Sequence, residues 1–172
     1  SGIISNHPIL EKCTGGEENY QAGEAELHDT VGHGTAVAGC AAYGDIENCL
    51  ENKNFNPENW IFSAKVMYAE KNDISGMISA VYDPKKLIEH QLKDAVESFL
   101  SNSEYHIKVI NISLGNSSEV WHKHYSRQLP LAALIDELAF TFSHVIFIVS
   151  AGNQDPRNNF DTIQEIIDNY PS

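Results

Sequence analysis

His33 stands between two glycines, in the run Gly32-His33-Gly34-Thr35-Ala36-Val37-Ala38-Gly39. An imidazole titrates near neutral pH, so it can take a proton and return it under working conditions. The glycines carry no Cβ, which lets the backbone turn sharply and another chain come close. Ala36, Val37, Ala38, Gly39, Cys40, Ala41 and Ala42 then follow with no polar face. A helix that is apolar all round is a buried helix. The pattern predicts His33 on the first turn of a short buried helix, at the working edge of the molecule. A lone histidine is ordinarily a hydrogen-bonded structural residue, and only its flanks argue for a general base here.

His28 and Asp29 precede His33 by five and four residues. A metal site of His28, Asp29 and His33 is conceivable, but a helical two-histidine site needs i, i+4 spacing on one face. Asp29 reads better as a loop carboxylate that orients or solvates. His122 and His124 form a His-x-His pair with no third ligand evident, so they read as loop residues. No metal and no other cofactor is expected.

Two strand ends carry further polar groups. The apolar segment 107–112 runs into Ser113-Leu114-Gly115-Asn116, and the segment 144–150 runs into Ser150-Ala151-Gly152-Asn153. Open α/β sheets bind ligands at the carboxyl ends of their strands. Taken alone, Ser-Leu-Gly carries no information, and an asparagine in a turn after a strand is equally ordinary.

Taken in chain order, the segments are more specific. His33-Gly34-Thr35 followed by three small residues and Gly39 resembles the histidine box of the subtilisin-like serine proteases, the subtilases. Ser1-Gly2 with His7-Pro8-Ile9-Leu10 resembles the segment that follows the catalytic aspartate of that family. Ser63-Ala64-Lys65-Val66-Met67, Val109-Ile110-Asn111-Ile112-Ser113-Leu114-Gly115 and Ser150-Ala151-Gly152-Asn153 resemble later segments in the same order. The resemblance implies that His33 is the general base of a Ser-His-Asp triad. It implies that Asn153 donates a neutral amide to the oxyanion. Ser113, Leu114 and Gly115 are implied to pair with a polypeptide substrate bound as an extended strand. Ser150, Ala151 and Gly152 are implied to border the same substrate.

The aspartate is expected immediately before Ser1, and a Gly-Thr-Ser-x-Ala nucleophile segment is absent, since the single Gly-Thr pair is Gly34-Thr35. Residues 1–172 therefore read as the internal part of a subtilase catalytic domain. The strand with the aspartate and the segment with the serine are missing. The fragment itself is expected to be inactive. The alternative is a catalytically dead subtilase-like module that binds peptides. Intervals longer than in a minimal subtilase, notably from Met67 to Ile107, are closer to a bacterial intracellular branch.

Around these residues the expected architecture is α/β, a mainly parallel sheet from 60–67, 107–112 and 144–150. The resemblance makes it a three-layer sandwich. Helices near 33–42, 85–100 and 130–142 should cover the sheet. Ile88, Leu92, Ala95, Val96 and Phe99 share one helical face, as do Leu131, Leu134, Ile135, Leu138, Ala139 and Phe142. The run 145–149 reads as a central buried strand. Cys13 to His28 and Tyr43 to Pro57 read as surface, Tyr68 to Tyr82 as irregular. Residues 161–170 read as a short amphipathic helix.

Composition bounds the partners. Of 172 residues, 11 are Lys or Arg and 24 are Asp or Glu, a net charge of −13. That balance argues against nucleic acid and against an anionic membrane. Three cysteines, Cys13, Cys40 and Cys49, fit neither a disulfide framework nor a zinc spacing. Cys40 is expected to be a buried thiol. A reducing, cytoplasmic compartment is expected, with secretion as the alternative, and neither a membrane span nor a signal peptide is visible.

Overall fold

Thr14–Asn19 forms strand β1, although Thr-Gly-Gly-Glu-Glu-Asn reads as loop. It runs parallel to β2, Ile61–Lys65, with Glu17 opposite Ser63 and Asn19 opposite Lys65. The loop expected from Cys13 onward is corrected here. Strand propensity is weak beside tertiary packing, and the glycines serve that packing. A Cβ on Gly15 would stand 2.4 Å from the Phe62 ring, so only glycine lets the ring lie against the strand. Phe62 then meets Tyr105 at a centroid distance of 4.5 Å and Phe99 at 6.4 Å.

The computed structural model describes residues 2–21, 27–115 and 127–150. Ser1, the His122 and His124 pair, Ala151, Gly152, Asn153 and the expected helix at 161–170 lie outside the described residues. Among the described residues no helix is long and apolar enough to cross a membrane.

Helices and strands are mixed as an α/β fold requires. Helix α1 spans His33–Tyr43 and starts where the sequence predicts. It is not buried all round. Ala38, Gly39, Ala42 and Tyr43 are buried, whereas Ala36, Cys40 and Ala41 are exposed. Small side chains on every side give no contrast to say which face turns inward. Cys40, expected inside, is therefore on the surface. Helix α2, Ile46–Glu51, was not anticipated within the surface stretch. It is capped by Asp45, which accepts from the Asn48 N–H at 3.0 Å.

Strands β3, Tyr68–Lys71, and β4, Ile78–Val81, form an antiparallel hairpin where an irregular segment was expected. The turn is built by Asn72, whose side-chain oxygen accepts from the N–H groups of Ile74 and Ser75 at 2.9 Å each. Asparagine is suited to that local bond. Helix α3, Ile88–Ser101, begins later than the expected 85, because Asp83 holds the Lys85 N–H at 2.8 Å in a turn. Its face of Ile88, Leu92, Ala95, Val96 and Phe99 is buried as predicted. Helix α4, Pro130–Thr141, opens on proline, whose missing N–H costs nothing in the first turn.

Strands β5, Val109–Ile112, and β6, Ile146–Val149, pair in parallel, Ile112 opposite Val149. The expected single sheet is not formed among the described residues. There β2 pairs with β1, β5 with β6 and β3 with β4, in three separate two-stranded sheets. Nor is 145–149 a buried central strand. Val145 is buried, but Ile146 is 63% and Ile148 51% exposed. Apolar composition does not bury a strand unless an element covers it, and no described element covers that face.

Three apolar clusters hold the described residues together. Ile3, Leu10, Cys13, Ala38, Ala42 and Tyr43 form one, with Ile61 against it. Leu92, Val96, Ile112 and Leu138 join α3, β5 and α4. Val66, Ile88 and Ala95 form the third, with Ala64 against it. Successive residues of a strand point to opposite faces. Ile61 meets the α1 cluster, while Phe62 meets Phe99 and Ala64 meets the Ala95 cluster. Helices α1 and α3 thus cover opposite faces of β2.

A cavity of about 1030 Å³ lies between the two parallel pairs. Residues 59–64 and 104–114 border it without a break, and α1 and α3 supply apolar walls. A cavity under a sheet face is lined by every second residue of a strand. An unbroken lining marks strand edges.

Candidate functional site

The site is built around the start of α1. His33 is the first helical residue, and it is exposed. Gly32 precedes it with φ 91°, a left-handed conformation that glycine takes without penalty. The first turn of a helix leaves N–H groups without intrahelical partners. Asp29 accepts from one of them and from two N–H groups just ahead of the helix. Its Oδ1 accepts from the N–H groups of Val31 and Gly32, at 3.0 Å each. Its Oδ2 accepts from the Thr35 N–H at 2.9 Å and from the Thr35 hydroxyl at 2.8 Å.

Asp29 is 4% exposed. Burial alone pushes its carboxyl up. The bonds from the Thr35 N–H and hydroxyl, then from Gly32 and Val31, outweigh burial and hold it below the ordinary carboxylate range. Both oxygens are thus committed to the start of the helix. The expectation that Asp29 orients its loop is met in a specific form. His28 is exposed, and among the described residues no three His, Cys, Asp or Glu side chains gather around a possible ion.

The segment after Ser1 is fastened to the same point. Ile3 bridges His28 in parallel, and the Asp29 N–H donates to the Ile3 carbonyl at 3.2 Å. The Ile4 N–H donates to the Thr35 hydroxyl at 3.1 Å. From the end of β2, Lys65 Nζ donates to the His28 carbonyl at 3.0 Å. Gly2, at φ +73°, lies so close that a Cβ would stand 2.5 Å from the Leu27 carbonyl oxygen.

The second group of residues sits at the carboxyl ends of β5 and β6. The Ser150 N–H donates to the Ile112 carbonyl at 3.2 Å, so the parallel pairing extends to Ser150 and brings it beside Ser113. Ser113 Oγ accepts from the Asn111 side-chain amide at 2.8 Å. The Gly115 carbonyl accepts from the Tyr82 hydroxyl at 2.6 Å. Ser113 and Leu114 border the cavity that His33 also borders, whereas Gly115 and Ser150 do not.

Sequence reasoning did not single out Thr35, Lys65 or Tyr82. A signal existed for two. An Asp before Gly-His at a helix start calls for N–H donors and a hydroxyl nearby. A lone Lys in the apolar run 60–67 needs a buried acceptor.

The family model described as the Subtilase family matches residues 1–168. Comparison with curated proteins and with solved structures returned no match.

Proposed function

We propose, on the premise that the chain belongs to the subtilase family over residues 1–168, that it is the middle of a serine endopeptidase catalytic domain. The family is one of serine peptidases, so the substrate is a polypeptide. His33 is the general base, drawing the proton from a serine outside these residues. An aspartate immediately ahead of Ser1 orients its other ring nitrogen. Asn153 donates to the oxyanion. Ser113, Leu114 and Gly115 hold the substrate as an added strand, and Ser150, Ala151 and Gly152 border it. The observation that carries this is the placement of His33 on the same cavity as Ser113 and Leu114, at the carboxyl end of β5.

The fold we assign is the three-layer sandwich, supported by α1 and α3 on opposite faces of β2. The strand bearing the aspartate belongs in the cavity between β2 and β5. The unbroken edge lining on both sides supports that seat. We place the protein in the cytoplasm, since Cys13, Cys40 and Cys49 are free thiols.

The test is hydrolysis of fluorogenic peptides by the full-length protein and by His33→Ala. Loss of turnover to background, with retained fold, supports the assignment. A full-length protein that binds extended peptides and cleaves none is instead a peptide-binding module. Residues 1–172 alone should give background only.

A further inference from the structure

The Ile3–Ile4 peptide group is gripped on both sides. Its carbonyl accepts from the Asp29 N–H at 3.2 Å, and its N–H donates to the Thr35 hydroxyl at 3.1 Å. A peptide group is planar and rigid, so two bonds on opposite sides fix its orientation. The two gripping residues are themselves joined, as the Thr35 hydroxyl and N–H both donate to Asp29. The ring of bonds has one polarity. A backbone N–H can only donate and an ionised carboxylate can only accept. The Thr35 hydroxyl must therefore accept from Ile4 and donate to Asp29, with no second arrangement available.

We propose that Asp29 and Thr35 are positioning residues that set where the chain just after Ser1 lies relative to the start of α1. The proposal rests on the assignment of His33 as base and of the residue ahead of Ser1 as its aspartate. The clamp grips the chain at Ile4, a few residues beyond that aspartate, and at Thr35, two residues beyond His33. It fixes both members of the Asp–His pair from outside, touching neither substrate nor the transferred proton. Misplacement by about 1 Å can cost roughly 100-fold in rate, so such a clamp acts on turnover rather than on binding.

The experiment uses the full-length protein, with rates expressed per active site titrated by a serine-directed inhibitor. Thr35→Val keeps the shape and removes the hydroxyl. It should lower kcat by about 10- to 100-fold with KM within about threefold. Thr35→Ser, which restores the hydroxyl, should return kcat to within about threefold of the parent. Asp29→Asn should follow Thr35→Val. A clamp that serves stability alone would reduce the titrated sites and leave kcat per site where it was, and that result overturns the proposal. If Asp29→Asn does not fold, the comparison of Thr35→Val with Thr35→Ser decides. Hydrolysis that survives His33→Ala overturns the assignment of the base, a separate failure read from a separate variant.

Discussion

Lys65 reaches from the last position of β2 to the carbonyl of His28, 3.0 Å from its ammonium, while only 4% exposed. A partly buried carbonyl that loses its donor carries part of the desolvation cost without the bond. Lys65→Met keeps the length and apolar stem and removes the charge. It should destabilise the protein by about 1–3 kcal/mol, read from the urea midpoint at unchanged slope. A shift within about 0.5 kcal/mol would mean that the His28 carbonyl finds another donor.

Gly2 and Gly32 both have positive φ, at 73° and 91°. A Cβ at Gly32 would meet nothing within 4 Å, whereas one at Gly2 would stand 2.5 Å from the Leu27 carbonyl oxygen. Gly32→Ala should therefore cost only the left-handed backbone, about 1–2 kcal/mol. Gly2→Ala bears that cost and a collision with backbone that cannot swing away. Its unfolding midpoint should fall further, and equal losses at the two sites would contradict the close approach.

Asp29 gives stability a defined pH dependence. Its folded pKa lies below the unfolded reference of 3.8. Its contribution is fully present above that reference and is lost as pH falls through the folded value. The urea midpoint of the parent should drop between pH 5 and pH 3 by more than that of Asp29→Asn, measured side by side. Asp29→Asn should also be the less stable at pH 7. Parallel curves for the two would show that Asp29 does not titrate against folding.

The edges of β2 and β5 that border the cavity offer backbone N–H and C=O groups to a further strand. If the strand ahead of Ser1 lies there, extending the polypeptide upstream should slow amide exchange at alternate residues of Ile61–Lys65 and of Val109–Ile112. Exchange slower by about tenfold or more at both strands fits one strand paired on both edges. Protection at neither would place that strand elsewhere.

Much of this arrangement is legible in the residues, and the part that is not has physical reasons. The start of α1 at His33 shows because glycine breaks the chain just before a run of helix-compatible residues. The buried face of α3 shows because Lys85, Lys86 and Asp94 contrast with Leu92, Ala95 and Val96. Strand β1 does not show, since Gly15 and Gly16 are there for the rings of Phe62 and Tyr105, which come from elsewhere in the chain. The partner of Asp29 is six residues away and could be guessed. The partner of Lys65 is 37 residues away and could not. Ile146 and Ile148 read as core, because a sequence states how apolar a strand is but not what covers it.

Asn153 separates an enzyme from a binding module most sharply. Its amide can donate to an oxyanion without titrating near neutral pH, which suits a fixed electrostatic role. If the full-length protein is a protease with Asn153 as the proposed oxyanion donor, Asn153→Ala should lower kcat by roughly 100- to 1000-fold, about 2.7–4 kcal/mol of transition-state stabilisation. KM should move little, because the donor acts on charge that develops after the substrate is bound. Asn153→Asp should be at least as harmful, since it sets a negative charge against the oxyanion. Steady-state kinetics of both variants, with peptide binding measured separately, decide the matter. An Asn153→Ala protein that keeps its kcat but no longer binds peptide would make Asn153 a groove residue. A parent that binds without cleaving, and to which neither change makes a difference, would make the chain a binding module that has kept the fold.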